Sequence, residues 1–257
     1  MKKLNLLKSV LVLGFVLLMI QTFGQQIGIS DARSFSGGSY MPPQGQYDPG
    51  SNRTNCIYLL DDGTQENSIG ITGDADIMWL NYFTAIAGCE LINTVYLTWG
   101  ETQNGFPCRI ILYEDPDDDG YADNAIYLTE TATTVQNANT NFFTTVSITP
   151  TLVSGGFFVA AICQNLPEGN YAAPLDETLS QGNSWIAAHY PGLFDVYNLM
   201  SNPLPPTLVD YFFPGNWLLR AEGTEAGPVA TPVSNWALFI GIGLILIFAV
   251  VRFRRLI

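Results

Sequence analysis

Short apolar stretches recur along this chain, each four to nine residues long, and turn-forming residues separate them. In 91–99, Val95, Leu97 and Trp99 fall on one face while Thr94, Tyr96 and Thr98 fall on the other. That period of two is the signature of a half-buried strand. Residues 77–83 and 156–162 are almost continuously apolar, as strands covered on both faces are. Further strand patterns occupy 56–60, 109–113, 126–135, 142–148, 184–188 and 217–222. Gly, Pro, Asn and Asp punctuate them, and no helical period of useful length intervenes. The pattern predicts an all-β domain over 55–224: a single, jelly-roll-like β-sandwich of about nine strands.

The two ends read differently. Lys2, Lys3 and Lys8 precede an apolar run from Val10 to Ile20, and Thr22 and Gly24 supply small residues before Gln25. This is the layout of a secretory signal peptide over 1–24, with a retained signal anchor as the weaker alternative. Residues 25–54 are rich in Gly, Ser, Pro and Gln and read as a flexible leader. After a linker at 225–235 comes an apolar stretch over 236–251, short for a transmembrane helix, and then the basic tail 252–257. Arg252, Arg254 and Arg255 form a membrane stop that holds the C-terminus inside, with Trp236 at the outer interface. The chain is expected to use the export machinery, cross the inner membrane and meet the bilayer through this helix.

Export changes the meaning of the charge. Six of the 10 basic residues lie in the terminal segments, leaving Arg33, Arg53, Arg109 and Arg220 against 23 acids, or 4 − 23 = −19. Such a surface repels nucleic acid and anionic lipid and suits divalent cations. Acidity that serves solubility alone is an equal reading. Four cysteines in an oxidising compartment point to two disulfides. Of the three pairings, Cys108 with Cys163 and Cys56 with Cys89 is preferred, because Cys108 and Cys163 each abut a strong strand pattern. Zinc is disfavoured by the cysteine spacing and the lone histidine.

The sharpest chemical feature is the loop from Asp115 to Asn124, with carboxylates at 115, 117 and 119 and then Gly120. Oxygen ligands at positions 1, 3 and 5, with Gly at 6, wrap a hard cation such as Ca²⁺. The Tyr121 carbonyl would take position 7, and Asp123 or Asn124 would complete the shell. Position 12 is Ile126, so a closing bidentate Glu is absent and affinity of roughly 10⁻⁴–10⁻³ M is expected. The competing reading is a solvated Asp-Pro and Asp-Gly turn. The packing of like charges favours the ion, in a structural role.

These residues resemble a bacterial secreted domain of unknown function. The resemblance rests on Trp79-Leu80-Asn81, Trp99-Gly100, Asp115 to Gly120, Phe157-Phe158-Val159, Ser184-Trp185-Ile186-Ala187 and Trp217 to Ala221. It spans most of 55–223 and implies a β-sandwich with one acidic loop. The tail, through Pro232, Ser234, Asn235 and Trp236, resembles C-terminal sorting signals of the PEP-CTERM type, although the Pro-Glu-Pro motif is missing. That resemblance implies an exosortase-like sorting protease as partner; a plain membrane anchor gives the same topology.

No catalytic constellation emerges. His189 is the single histidine, no G-x-S-x-G occurs, and the adjacent Asp176 and Glu177 do not make a carboxylate pair across a cleft. His189 reads as a loop residue. Trp99, Trp185, Trp217 and the stretch from Tyr190 to Tyr197 could stack a sugar, but tryptophans in apolar strands more often pack in a core. The sequence therefore predicts a non-catalytic protein of the cell surface or extracellular matrix. A carbohydrate-binding module with a polysaccharide ligand is second, and a glycoside or polysaccharide hydrolase a distant third.

Overall fold

The computed structural model describes residues 27–29, 56–226 and Arg252. The fold is all-β. In chain order the strands are β1 (Ile27–Ile29), β2 (Ile57–Tyr58), β3 (Asn67–Ile71), β4 (Ala75–Thr84), β5 (Leu91–Trp99), β6 (Pro107–Asp115) and β7 (Ile126–Thr134). They continue with β8 (Thr140–Leu152), β9 (Gly156–Leu166), β10 (Ala173–Asp176), β11 (Ser184–His189), β12 (Leu204–Leu208), β13 (Asn216–Trp217) and β14 (Leu219–Thr224). Each of the nine segments expected from the pattern contributes a strand. The additions are the short β1, β3, β10, β12 and β13, and β1 falls in the segment read as a leader. His189 ends β11, paired with Asp76, and is not a loop residue: β11 runs one position beyond its apolar run because the ladder with β4 continues.

Three antiparallel sheets result. One has six strands in the order β12-β11-β4-β9-β6-β7; a second has the order β2-β14-β5-β8; a third, β1-β3-β10-β13. The apolar run of β9 places it at the centre of the largest sheet. Phe157, Val159, Ala161 and Cys163 point into the main core, shared with Val95, Leu97 and Trp99 of β5 and Leu219 of β14. Phe158, Ala160 and Ile162 point the other way, into a second core closed by Phe194, Val196, Leu199 and Ala122. Loops thus roof the outer face of a sheet whose inner face packs on its neighbour. Trp79 and Trp99, both fully buried, meet edge to face across the sandwich with centroids 6.0 Å apart. Burying each such side chain contributes on the order of 3 kcal/mol.

The buried charged groups Asp76 and Arg220 are paired, whereas the indole N–H of Trp79 has no hydrogen-bond partner. Asp76 is fully buried, and its carboxylate accepts the backbone N–H groups of Asn165 (2.6 Å), Gly192 (2.8 Å) and Phe194 (3.0 Å). Those bonds fold the chain after β11 back over the outer face. Arg220 of β14 pairs with Asp61, Nε to Oδ1 at 3.0 Å, and its guanidinium lies 4.2 Å from the centroid of Phe143. Both disulfides follow the preferred pairing. Cys108 and Cys163 face each other directly across β6 and β9, Cα atoms 4.7 Å apart, and Cys56 joins Cys89.

The chain changes sheets at Leu218, between β13 and β14. The carbonyls on either side of that break would be orphaned in a dry core. Asn81 donates to both, to Trp217 at 2.9 Å and Leu219 at 2.8 Å, while its Oδ1 accepts from Ser184 Oγ at 2.7 Å. Asn81→Ala removes all three bonds and leaves buried acceptors unpaired. It should lower the unfolding free energy by about 3 kcal/mol, read by urea denaturation; a change within about 0.5 kcal/mol, the range of an ordinary surface substitution, would contradict this account.

Candidate functional site

β6 carries the chain into the acidic loop. Asp115 is its last residue, 1% exposed, and opposes Gly156 at the start of β9. Gly156 has to be glycine: a Cβ there would stand 2.6 Å from the Tyr82 hydroxyl and 3.0 Å from Asp115 Oδ2. Pro116 cannot extend the ladder, and the chain turns. Gly120, at φ 79°, donates its N–H to Asp115 Oδ2 at 2.9 Å, and Tyr121 N–H donates to Asp119 Oδ1 at 2.8 Å. These bonds close the loop on its own carboxylates.

Asp115, Asp117 and Asp119 converge. One carboxylate oxygen from each lies within 4.8 Å of the other two. Asp117 and Asp119 are exposed, whereas Asp115 Oδ1 is buried and has no hydrogen-bond partner. Burial raises the Asp115 pKa above the usual carboxylate range, and the facing carboxylates of Asp117 and Asp119 raise it further. Asp117 moves down, held ionised first by a hydrogen bond from the Asn124 side chain. Tyr82, beneath Gly120, is raised by its own burial and by the charges of Asp115, Asp118 and Asp119. Both arginines of the described domain are committed elsewhere: Arg109 to Glu130 at 2.6 Å, Arg220 to Asp61. Among the described residues, no basic side chain of the domain is left to neutralise the loop.

The six residues expected to hold an ion divide. Asp115, Asp117 and Asp119 are brought together, and Asn124 is engaged with Asp117. Asp123 is exposed and outside the converging group. Tyr121 follows directly; the residue is 54% exposed, and its ring is T-shaped against Trp185 with centroids 5.3 Å apart. Asp118 was not expected to matter. It adopts φ 56°, turns away from the cluster and accepts the Gly156 N–H, tying the loop tip to β9. Its only signal in the sequence was its place between the alternating acids.

Other expected positions are dispersed. Trp79, Trp99, Trp185 and Trp217 are all buried, so none offers a flat face to a sugar. Tyr197 is exposed and packs on Tyr127 at 4.8 Å. Asp176 is buried and accepts N–H groups of Asp62 and Thr178, while Glu177 is exposed. His189 Nδ1 lies 3.3 Å from the Tyr190 carbonyl. The signal segment and Pro232, Ser234, Asn235, Trp236, Arg254 and Arg255 lie outside the described residues; Arg252 is described, and exposed. Among the described residues no helix is long and apolar enough to cross a membrane.

No protein-family description and no curated protein matches the chain. Among solved structures it is similar to the cysteine protease and lectin-like domains of Cwp84, a surface layer associated protein of Clostridium difficile. The TM-score is 0.45 with 12% identity, covering 66% of this chain and 36% of that one. The chain thus spans little more than a third of that protein's length, and a likeness of this degree says nothing of ligand or activity.

The raised Asp115 pKa has a definite consequence for metal-free protein. The folded state holds this proton more tightly than the unfolded chain, so stability falls as pH rises from the unfolded to the folded pKa. Asp115→Asn should therefore be more heat-stable than the parent in chelator at neutral pH. The advantage should vanish below about pH 4, where the parent carboxyl is protonated in both states. Thermal melts of both proteins across pH check the difference.

Proposed function

We propose that this protein is an exported, non-catalytic component of the cell surface or extracellular matrix, and that its jelly-roll-like sandwich is completed by Ca²⁺ in the 115–124 loop. The observation that carries the ion is the convergence of three carboxylates, one of them the buried Asp115, whose Oδ1 has no hydrogen-bond partner. Two carboxylates at such a distance repel unless a proton or a cation lies between them. The donors are all oxygen, from a loop and not a rigid cage, which suits Ca²⁺ over Mg²⁺. Zinc and softer metals would want thiolate or imidazole, and the four cysteines are consumed in disulfides. The ion would fix the connection between β6 and β7 and neutralise the loop beside Tyr82.

The experiment is a thermal melt of the full-length protein in chelator and in about 10 mM Ca²⁺. With the affinity expected of such a loop, roughly tenfold to a hundredfold excess of ion raises Tm by about 3–10 °C. The double variant Asp117→Asn/Asp119→Asn should lose the rise. An unmutated protein that melts identically in both buffers refutes the ion.

For the tail, we favour a sorting signal over a permanent anchor, on the resemblance of Pro232 to Trp236 and the basic stop after a short apolar run. Mass spectrometry of the mature protein from its own host decides between them. A C-terminus upstream of Arg252 supports sorting with cleavage, and an intact Arg254-Arg255 end supports the anchor.

A further inference from the structure

Resting on the calcium reading, we infer that the 115–124 loop is also a recognition site, in which the ion and the Tyr121 ring together hold a neutral sugar with vicinal hydroxyls. Three observations combine. The chain leaves the ion's shell unfinished: Ca²⁺ takes 6–8 oxygens, whereas three carboxylates converge, Asn124 is engaged with Asp117, and Ile126 stands where a closing Glu would be. The cluster meets water through Asp117 and Asp119, which are exposed, while Asp115 is buried. An aromatic residue follows the cluster directly in the chain. Tyr121 is tied to Asp119 through its own N–H, braced edge-on by Trp185, and keeps more than half of its surface in solvent.

A pyranose fits both features at once. Its adjacent hydroxyls replace two waters on a hard cation, and its C–H face lies against an aromatic ring. Charge selects among sugars. Three carboxylates around one divalent ion leave the site net negative, on a domain whose acids far outnumber its bases. An anionic polysaccharide meets repulsion there, and a neutral one does not. The four described tryptophans are all buried, and Tyr121 is the exposed aromatic residue within the loop itself.

The test uses the full-length protein and yeast mannan, a neutral polymer whose mannose units carry a cis-diol. Retention on immobilised mannan in millimolar Ca²⁺, release by chelator and competition by free methyl mannoside are expected. Tyr121→Ala should weaken retention about tenfold, and Tyr121→Phe should keep it, since the ring stacks and the hydroxyl is dispensable. Three results overturn the inference: a Ca²⁺-dependent Tm without Ca²⁺-dependent retention, retention on alginate but not mannan, or full retention by Tyr121→Ala. An unmutated protein with no Ca²⁺-dependent Tm overturns the ion itself, a separate failure read in a separate assay.

Discussion

The side-chain amide of Asn81 is the point on which the sandwich turns. The closing segment of the domain runs through two sheets, and its backbone must break between Trp217 and Leu219 in a region closed to water. Buried carbonyls without donors would make that crossing costly. Asn81 supplies both donors, and its own oxygen is taken by Ser184, whose hydroxyl also receives the Trp217 N–H at 3.2 Å. Trp217 Nε1 in turn donates to the Trp185 carbonyl at 2.7 Å. Three stretches far apart in the chain, around Asn81, Ser184 and Trp217, therefore meet in one network. Each bond in such a network polarises the next, and rigidity follows. Trp185 inherits that rigidity and passes it outward to Tyr121.

Much of this was legible in the sequence, for a simple reason. Strands buried on one or both faces must write their burial into the residue pattern, as β5 and β9 do. The disulfide pairing could be preferred because Cys108 and Cys163 flank such strands, and the register sets them opposite each other. The short strands were not legible. β3 opens with Asn67-Ser68, β10 contains Pro174 and β12 contains Pro205-Pro206, all poor strand signals. Those strands are set by neighbours already in place, not by their own period. Asp76 was equally silent, since an acid in an apolar run gives no hint that three distant N–H groups will converge on it.

The acidic loop shows the same division. Spacing alone revealed that Asp115, Asp117 and Asp119 share one side of a turn. It could not reveal that Asp115 is sunk beneath the surface, because that depends on the missing side chain of Gly156, more than forty positions later in the chain. Nor could it tell Asp118 from its neighbours. Alternation predicts that Asp118 faces away, but only the fold shows what it faces: the first amide of β9. The loop is thus bound to the core strand twice, once through the Asp115 register and once through Asp118.

The scarcity of positive charge has a further effect once Arg109 and Arg220 are placed. Both sit inside long hydrogen-bonded strands and hold acidic partners, Arg220 with almost no exposed surface. Trypsin-like proteases need a basic residue in an extended segment that can leave its sheet. Between residues 56 and 226 neither arginine meets that need without opening the sandwich. The described domain is in this way closed to a whole class of digestive enzymes, having no lysine and no arginine that is free to leave its sheet.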